Sequence, residues 1–119
     1  MKMIVKKVLS EEPLTFAEVK EILEAMKASD AELGYEMSYE KRKVLSHVTK
    51  FAKIDAKSSR ELVNELLKMD KMNKEIAVRI ADLMPKSESE VRAIYAKEQF
   101  TLSKEDIERI LDCVAKYES

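Results

Sequence analysis

The sequence has little glycine, cysteine, histidine or proline, and it has no tryptophan. Its 119 residues include one Gly, one Cys, one His and two Pro. A single Cys cannot form an internal disulfide, and one Cys with one His cannot provide the four ligands of a structural zinc site. One Gly excludes the glycine-rich loops that hold phosphates, because those loops need several positions without a Cβ. The sequence therefore predicts no catalytic, metal or cofactor site.

The sequence is rich in charged and apolar residues, which make up 38% and 45% of its positions. Lys and Arg number 22 and Asp and Glu number 23, so the formal net charge is −1. An autonomous nucleic-acid-binding domain usually carries a strong positive field, so this balance favours a protein as the first partner. No apolar run is long enough for a signal peptide or a membrane span, which predicts a cytoplasmic protein with no membrane contact.

The first nine residues are rich in Ile, Val and Met, and Pro13 follows them closely. This composition predicts a short strand around Met3, Ile4 and Val5, yet no other segment reads as a strand that could pair with it. Such a strand either frays as a chain terminus or adds to the sheet edge of another chain.

The first half of the remaining chain is predicted to form two helices, because apolar residues recur at helical spacing after capping residues. Thr15 and Glu18 form a capping box for a helix that is predicted to end near Ala28. A second helix is predicted from Ser38 to about Lys53. Its predicted apolar face consists of Val44, Leu45, Val48, Phe51 and Ala52.

The second half predicts four more short helices. The first is predicted to open at residues 58–61, and Asn73 caps the next, which Pro85 ends. Ser87 and Ser103 cap the last two. The helix after Asn73 is apolar on nearly its whole circumference, so it is either central to a core or covered by a partner. The pattern as a whole predicts an all-α bundle of short helices.

Few residues suggest a catalytic or ligand-binding role. His47 flanks an apolar face without a residue that could hold it as a general base, which favours a surface histidine. Cys113 reads as a buried thiol. Four basic residues are spaced so that a turn could point several of them to one side, where they could contact the phosphates of nucleic acid: Lys68, Lys71, Lys74 and Arg79. A solvated charged face explains them more simply.

Several blocks together resemble a known family. They are LTFAEVK (14–20), ELVNELL (61–67), AVRIADLMP (77–85), EVRAIY (90–95) and LSKEDI (102–107). Their order and spacing resemble the F subunit of archaeal DNA-directed RNA polymerase, which is the counterpart of the small stalk subunit of eukaryotic RNA polymerase II. The similarity covers about residues 3–118.

This resemblance implies a non-catalytic protein that pairs with the E subunit of the polymerase, a β-rich protein, in a stalk on the polymerase core. We call this partner the β-rich stalk protein. In the family, the stalk contacts emerging RNA and supports promoter opening, processivity and termination. The resemblance also implies an orthogonal bundle, with a C-terminal half like the C-terminal domain of helicases and ribonuclease D.

We therefore expect partner-binding elements in residues 1–54 and a helical domain in residues 55–119. The predicted contacts with the β-rich stalk protein are Met3, Ile4, Val5, Phe16, Ile80 and Met84. The alternative is an independent helical module that binds nucleic acid.

Overall fold

The computed structural model describes residues 13–118, and these residues form six α-helices and no strand. The prediction of a strand at Met3–Val5 lies outside the described residues. No helix within the described part is long and apolar enough to cross a membrane. The helices are α1 Phe16–Glu32, α2 Tyr39–Phe51, α3 Ala56–Leu66, α4 Lys74–Leu83, α5 Glu88–Ile94 and α6 Lys104–Tyr117.

Helix α1 begins at the predicted capping box. The Glu18 amide donates to Thr15 Oγ1 at 3.1 Å, and the Thr15 amide donates to Glu18 Oε1 at 2.9 Å. The helix runs to Glu32, four residues beyond the predicted end at Ala28. The polar residues after Ala28 do not break it, because the chain instead turns at Gly34 in the left-handed conformation, with φ +80°.

Helix α2 lies within its predicted span, but its apolar face is narrower than predicted. Val48 is buried and Leu45 and Ala52 are half-buried, whereas Val44 and Phe51 are 47% and 44% exposed. The predicted apolar face is thus buried only in part, because α1 covers one flank of α2 and leaves Val44 and Phe51 exposed.

Helices α3 to α6 surround one hydrophobic core. Leu62 and Leu66 of α3, Ile76 and Ile80 of α4, and Ile107 of α6 have at most 1% of their surface exposed. The core of this chain thus explains most of the apolar circumference of α4. One large apolar residue of α4 stays outside it, since Leu83 is 45% exposed.

Two local features of this half differ from the sequence pattern. Helix α3 starts at Ala56 with Asp55 as its N-cap, and the Asp55 carboxylate accepts the Ser58 amide at 2.7 Å. The prediction placed this start at residues 58–61, because serines are also common capping residues. Lys71 and Met84 also adopt positive φ angles of 60° and 48°, which side chains other than glycine rarely do.

The two halves of the described chain differ in shape. Helices α1 and α2 pair as a hairpin, and α1 also packs on α3 of the bundle. The described residues measure 54 × 27 × 22 Å along their principal axes. The hairpin therefore extends the bundle lengthwise, and among residues 13–118 much of α2 has no neighbouring helix.

Candidate partner-binding surface

Three residues form an exposed stripe along one flank of α2. Val44, His47 and Phe51 follow each other at spacings of three and four, which places them on one side of a helix. All three are exposed. A line of apolar and aromatic side chains open to water is the usual sign of a surface that another protein covers.

Phe16 extends this stripe from the first turn of α1. Its ring meets the His47 ring edge-on, with centroids 5.6 Å apart, and the His47 and Phe51 rings lie 4.8 Å apart. Phe16 is half-buried and packs against the exposed His47 ring. We call Phe16, Val44, His47 and Phe51 the aromatic surface.

The backbone of Phe16 is held by a carboxylate on α4. Its amide donates to Asp82 Oδ1 at 2.7 Å. Burial raises the pKa of Asp82 to about 6; the Phe16 hydrogen bond acts against this, and the Glu18 carboxylate adds to it. The bond ties the start of α1 to the end of α4.

Further polar contacts join the same turn of α1 to α3. Thr15 Oγ1 and Ser59 Oγ form a buried hydrogen bond of 2.7 Å. The Arg60 guanidinium binds both carboxylate oxygens of Glu18 and also donates to the Pro13 carbonyl at 3.2 Å. We call these contacts, together with the bond to Asp82, the latch. The latch fixes where the aromatic surface lies relative to the bundle.

Leu83 lies at the same end of α2 as Phe51. The Lys53 ammonium, two residues after Phe51, donates to the Leu83 carbonyl at 2.9 Å. This bond caps the carboxyl end of α4, where the last carbonyls lack helical partners. The exposed Leu83 side chain lines a recess of the bundle together with Pro85 and Ile94, apart from the aromatic surface.

Of the predicted partner contacts that the structure describes, one lies at the surface and two lie in the core. Phe16 belongs to the aromatic surface, whereas Ile80 and Met84 are 0% and 3% exposed inside the bundle core. A side chain without exposed area can support an interface but offers no contact area of its own. Val44 and Phe51, which the sequence placed on the apolar face of α2, are exposed. The apolar residues of α2 span a broader arc than one neighbouring helix can cover, and this breadth indicates a second contact face for a partner.

The predicted nucleic-acid contacts are all exposed: Lys68, Lys71, Lys74 and Arg79. Lys71 and Arg79 form salt bridges within the chain. The Lys71 ammonium lies 3.0 Å from the Asp106 carboxylate, and the Arg79 guanidinium lies 3.5 Å from Glu98. These pairs compete with phosphate for the two cations, and nucleic-acid contact stays a prediction.

The described residues give little support for catalysis. No three His, Cys, Asp or Glu side chains among residues 13–118 are grouped as a metal site. The ring neighbours of His47 are two phenylalanines. Burial raises the pKa of the Cys113 thiol, and the Glu65 carboxylate raises it further, which disfavours the reactive thiolate. The geometry instead indicates a helical protein that binds another protein.

Comparison with known proteins agrees with that class. The family model for RNA polymerase Rpb4 matches residues 13–118, so the chain belongs to the RNA polymerase Rpb4 family. It is also similar to the DNA-directed RNA polymerase subunit Rpo4 of Methanocaldococcus jannaschii. The two are 38% identical over 116 residues, which cover 98% of this chain and 93% of that relative.

Proposed function

We propose that this chain is the non-catalytic stalk subunit of an archaeal DNA-directed RNA polymerase and that it forms a heterodimer with the β-rich stalk protein. Family membership supports the polymerase assignment. The observation that supports the protein partner is the aromatic surface, which leaves Val44 and Phe51 nearly half exposed on a helix that α1 covers on one flank. Nucleotide transfer would then belong to other chains of the polymerase.

The β-rich stalk protein would cover the aromatic surface. Aromatic side chains supply much of the binding energy of protein interfaces, because their burial removes a large apolar area from water. The Pro13 carbonyl is bound by Arg60, which holds Pro13 close to the first turn of α1. From there Met3, Ile4 and Val5 would add a strand to the partner's sheet.

The heterodimer would join the polymerase core in the cytoplasm and support promoter opening, transcript contact, processivity and termination. The bundle of α3 to α6 would be the orthogonal type found at the ends of helicases and ribonuclease D. These finer roles rest on the resemblance of the sequence blocks to the archaeal stalk family.

Co-expression with the tagged β-rich stalk protein tests the proposal. The wild-type chain should co-purify with that partner at moderate salt. The double variant Val44→Asp, Phe51→Asp should bind more than about 30-fold more weakly, since it places two carboxylates in a desolvated interface. The matched control Leu33→Asp, Tyr35→Asp changes residues that are 69% and 68% exposed in the hairpin loop, and it should bind normally.

The possible failures are distinct. If the wild-type chain does not bind the β-rich stalk protein, the heterodimer proposal fails. If the wild-type chain and both double variants bind alike, the heterodimer stands and the aromatic surface is not its interface.

A further inference from the structure

A second surface of the hairpin lies on the other flank of α2. There α1 and α2 enclose an open groove of about 770 Å³. Residues Leu45, Ser46 and Thr49 line it from α2, whereas Val44, His47 and Phe51 face the opposite flank. The groove and the aromatic surface share no residue, although they adjoin at Lys50, which lines the groove and whose ammonium lies over the Phe51 ring, 5.6 Å from its centroid.

The residues that line the groove have the spacing of a helix-binding seam. Helix α1 contributes Glu24, Lys27, Ala28 and Ala31, at relative positions 0, 3, 4 and 7. The α2 residues repeat this pattern, because Arg42, Leu45, Ser46 and Thr49 also lie at positions 0, 3, 4 and 7. At 1.5 Å per residue each row is about 10 Å long, which matches two turns of a third helix lying lengthwise.

The floor of the groove lets another backbone come close. Ala28 and Ala31 are exposed, and the half-buried Leu45 supplies an apolar contact between them and α2. Ser46 and Thr49 have short side chains, so they leave the space above the floor open. Helices pack at interaxial distances of about 8 Å where such small side chains meet.

The rim of the groove is mainly cationic. Lys27, Arg42 and Lys50 line it against one carboxylate, that of Glu24. Neither Lys27 nor Arg42 forms a salt bridge with another residue between 13 and 118. Helix α2 carries four Lys and Arg and one Glu, whereas α1 carries two Lys and five Asp and Glu, so the cationic character of the groove comes from α2 and from Lys27. Local charge of this sign selects an acidic partner.

We propose that the groove between α1 and α2 receives an amphipathic helix of a partner protein, with its apolar stripe on the alanines and its acidic side chains on the cationic rim. This contact is additional to the one proposed for the β-rich stalk protein. A helix fits the groove better than single-stranded RNA does, because no aromatic side chain lines the groove and bases would have nothing to stack on.

Peptide titration of the isotope-labelled full-length chain tests this proposal. The probe is a short, end-blocked helical peptide with Ala and Leu on one face and Glu along both edges. Amide NMR shifts should change at residues 24–31 and 42–50. The same peptide with Lys in place of Glu should bind at least about tenfold more weakly, since it meets like charges at the rim.

Two variants locate the contact. Arg42→Glu should weaken binding of the acidic peptide about tenfold, because it replaces an attraction with a repulsion. Ala28→Phe should weaken it at both low and high salt, because the ring fills the floor of the groove. The matched control Arg109→Glu changes an exposed cation of α6 and should have no effect.

Four results would overturn the proposal. One is the absence of shift changes at millimolar peptide. The second is equal binding by the Arg42→Glu and Arg109→Glu variants. The third is loss of peptide binding when the β-rich stalk protein is bound, which would make the groove part of that interface. The fourth is tighter, Arg42-dependent binding of a single-stranded oligouridine, which would make the ligand RNA.

Discussion

Asp82 is an acid at the junction of the hairpin and the bundle, and its environment opposes its ionisation. Burial raises its pKa from 3.8 to about 6, although the Phe16 amide favours the charged form. A raised pKa means that the folded chain binds the proton more tightly than the unfolded chain does. The stabilisation from Asp82 is therefore complete below about pH 4 and is lost as the pH rises through 6.

Asp82→Asn should remove this pH dependence. The amide oxygen can still accept the Phe16 hydrogen, and no charge has to be buried at neutral pH. We expect the melting temperature of the variant to exceed that of the wild type by roughly 3 °C at about pH 7.5, with the difference vanishing near pH 4. Thermal unfolding followed by circular dichroism across this pH range measures this. Parallel pH profiles for the two proteins would contradict the assignment of the slope to Asp82.

Helix α1 ends in a two-bond motif that depends on a left-handed residue. The Tyr35 amide donates to the Asp30 carbonyl at 2.8 Å, and the Gly34 amide donates to the Ala31 carbonyl at 3.1 Å. This Schellman pattern satisfies carbonyls that the helix leaves unpaired. A Cβ on Gly34 would meet nothing within 4 Å, so any cost of a side chain there comes from the backbone alone.

Gly34→Ala should lower the free energy of unfolding by about 1 kcal/mol, because alanine is strained at φ +80°. The matched control Gly34→Asn should cost clearly less, since asparagine tolerates the left-handed region. Urea denaturation at constant pH measures both variants. An alanine variant as stable as the wild type would show that α1 can end without the left-handed turn.

Most N-caps of the helices were more predictable from sequence than the way the helices pack against each other. The caps at Thr15, Asn73 and Ser103 follow from a local hydrogen bond, which a short stretch of sequence specifies, and the structure confirms them. The exposure of Val44 and Phe51 depends on which flank α1 covers, and helical spacing cannot state that. For the same reason the groove could not be predicted, since it exists only where two helices meet.

The whole molecule depends on a small polar junction between its two halves. Beyond the pairing of α1 with α3, the latch supplies the hydrogen bonds that orient the hairpin. Burial alone would raise the pKa of Glu18, but its bonds to Arg60 and to the Thr15 amide outweigh burial and lower it. The ionised pair is thus the stable form at neutral pH, and it holds the start of α1 against α3.

Arg60→Met should loosen the hairpin without opening the bundle. The methionine keeps part of the apolar stem of arginine but removes the charge-assisted bonds to Glu18 and Pro13. Loss of these bonds should cost the attachment of the hairpin roughly 1–2 kcal/mol. Hydrogen exchange should speed up in residues 16–32 and stay unchanged around Leu62 and Leu66, whose side chains are fully buried. The matched control Lys57→Met, at an exposed position of the same helix, should leave both regions protected. Equal acceleration of exchange in the hairpin and the bundle would mean that the two halves unfold as one unit. Unchanged exchange in α1 would mean that apolar packing alone orients the hairpin.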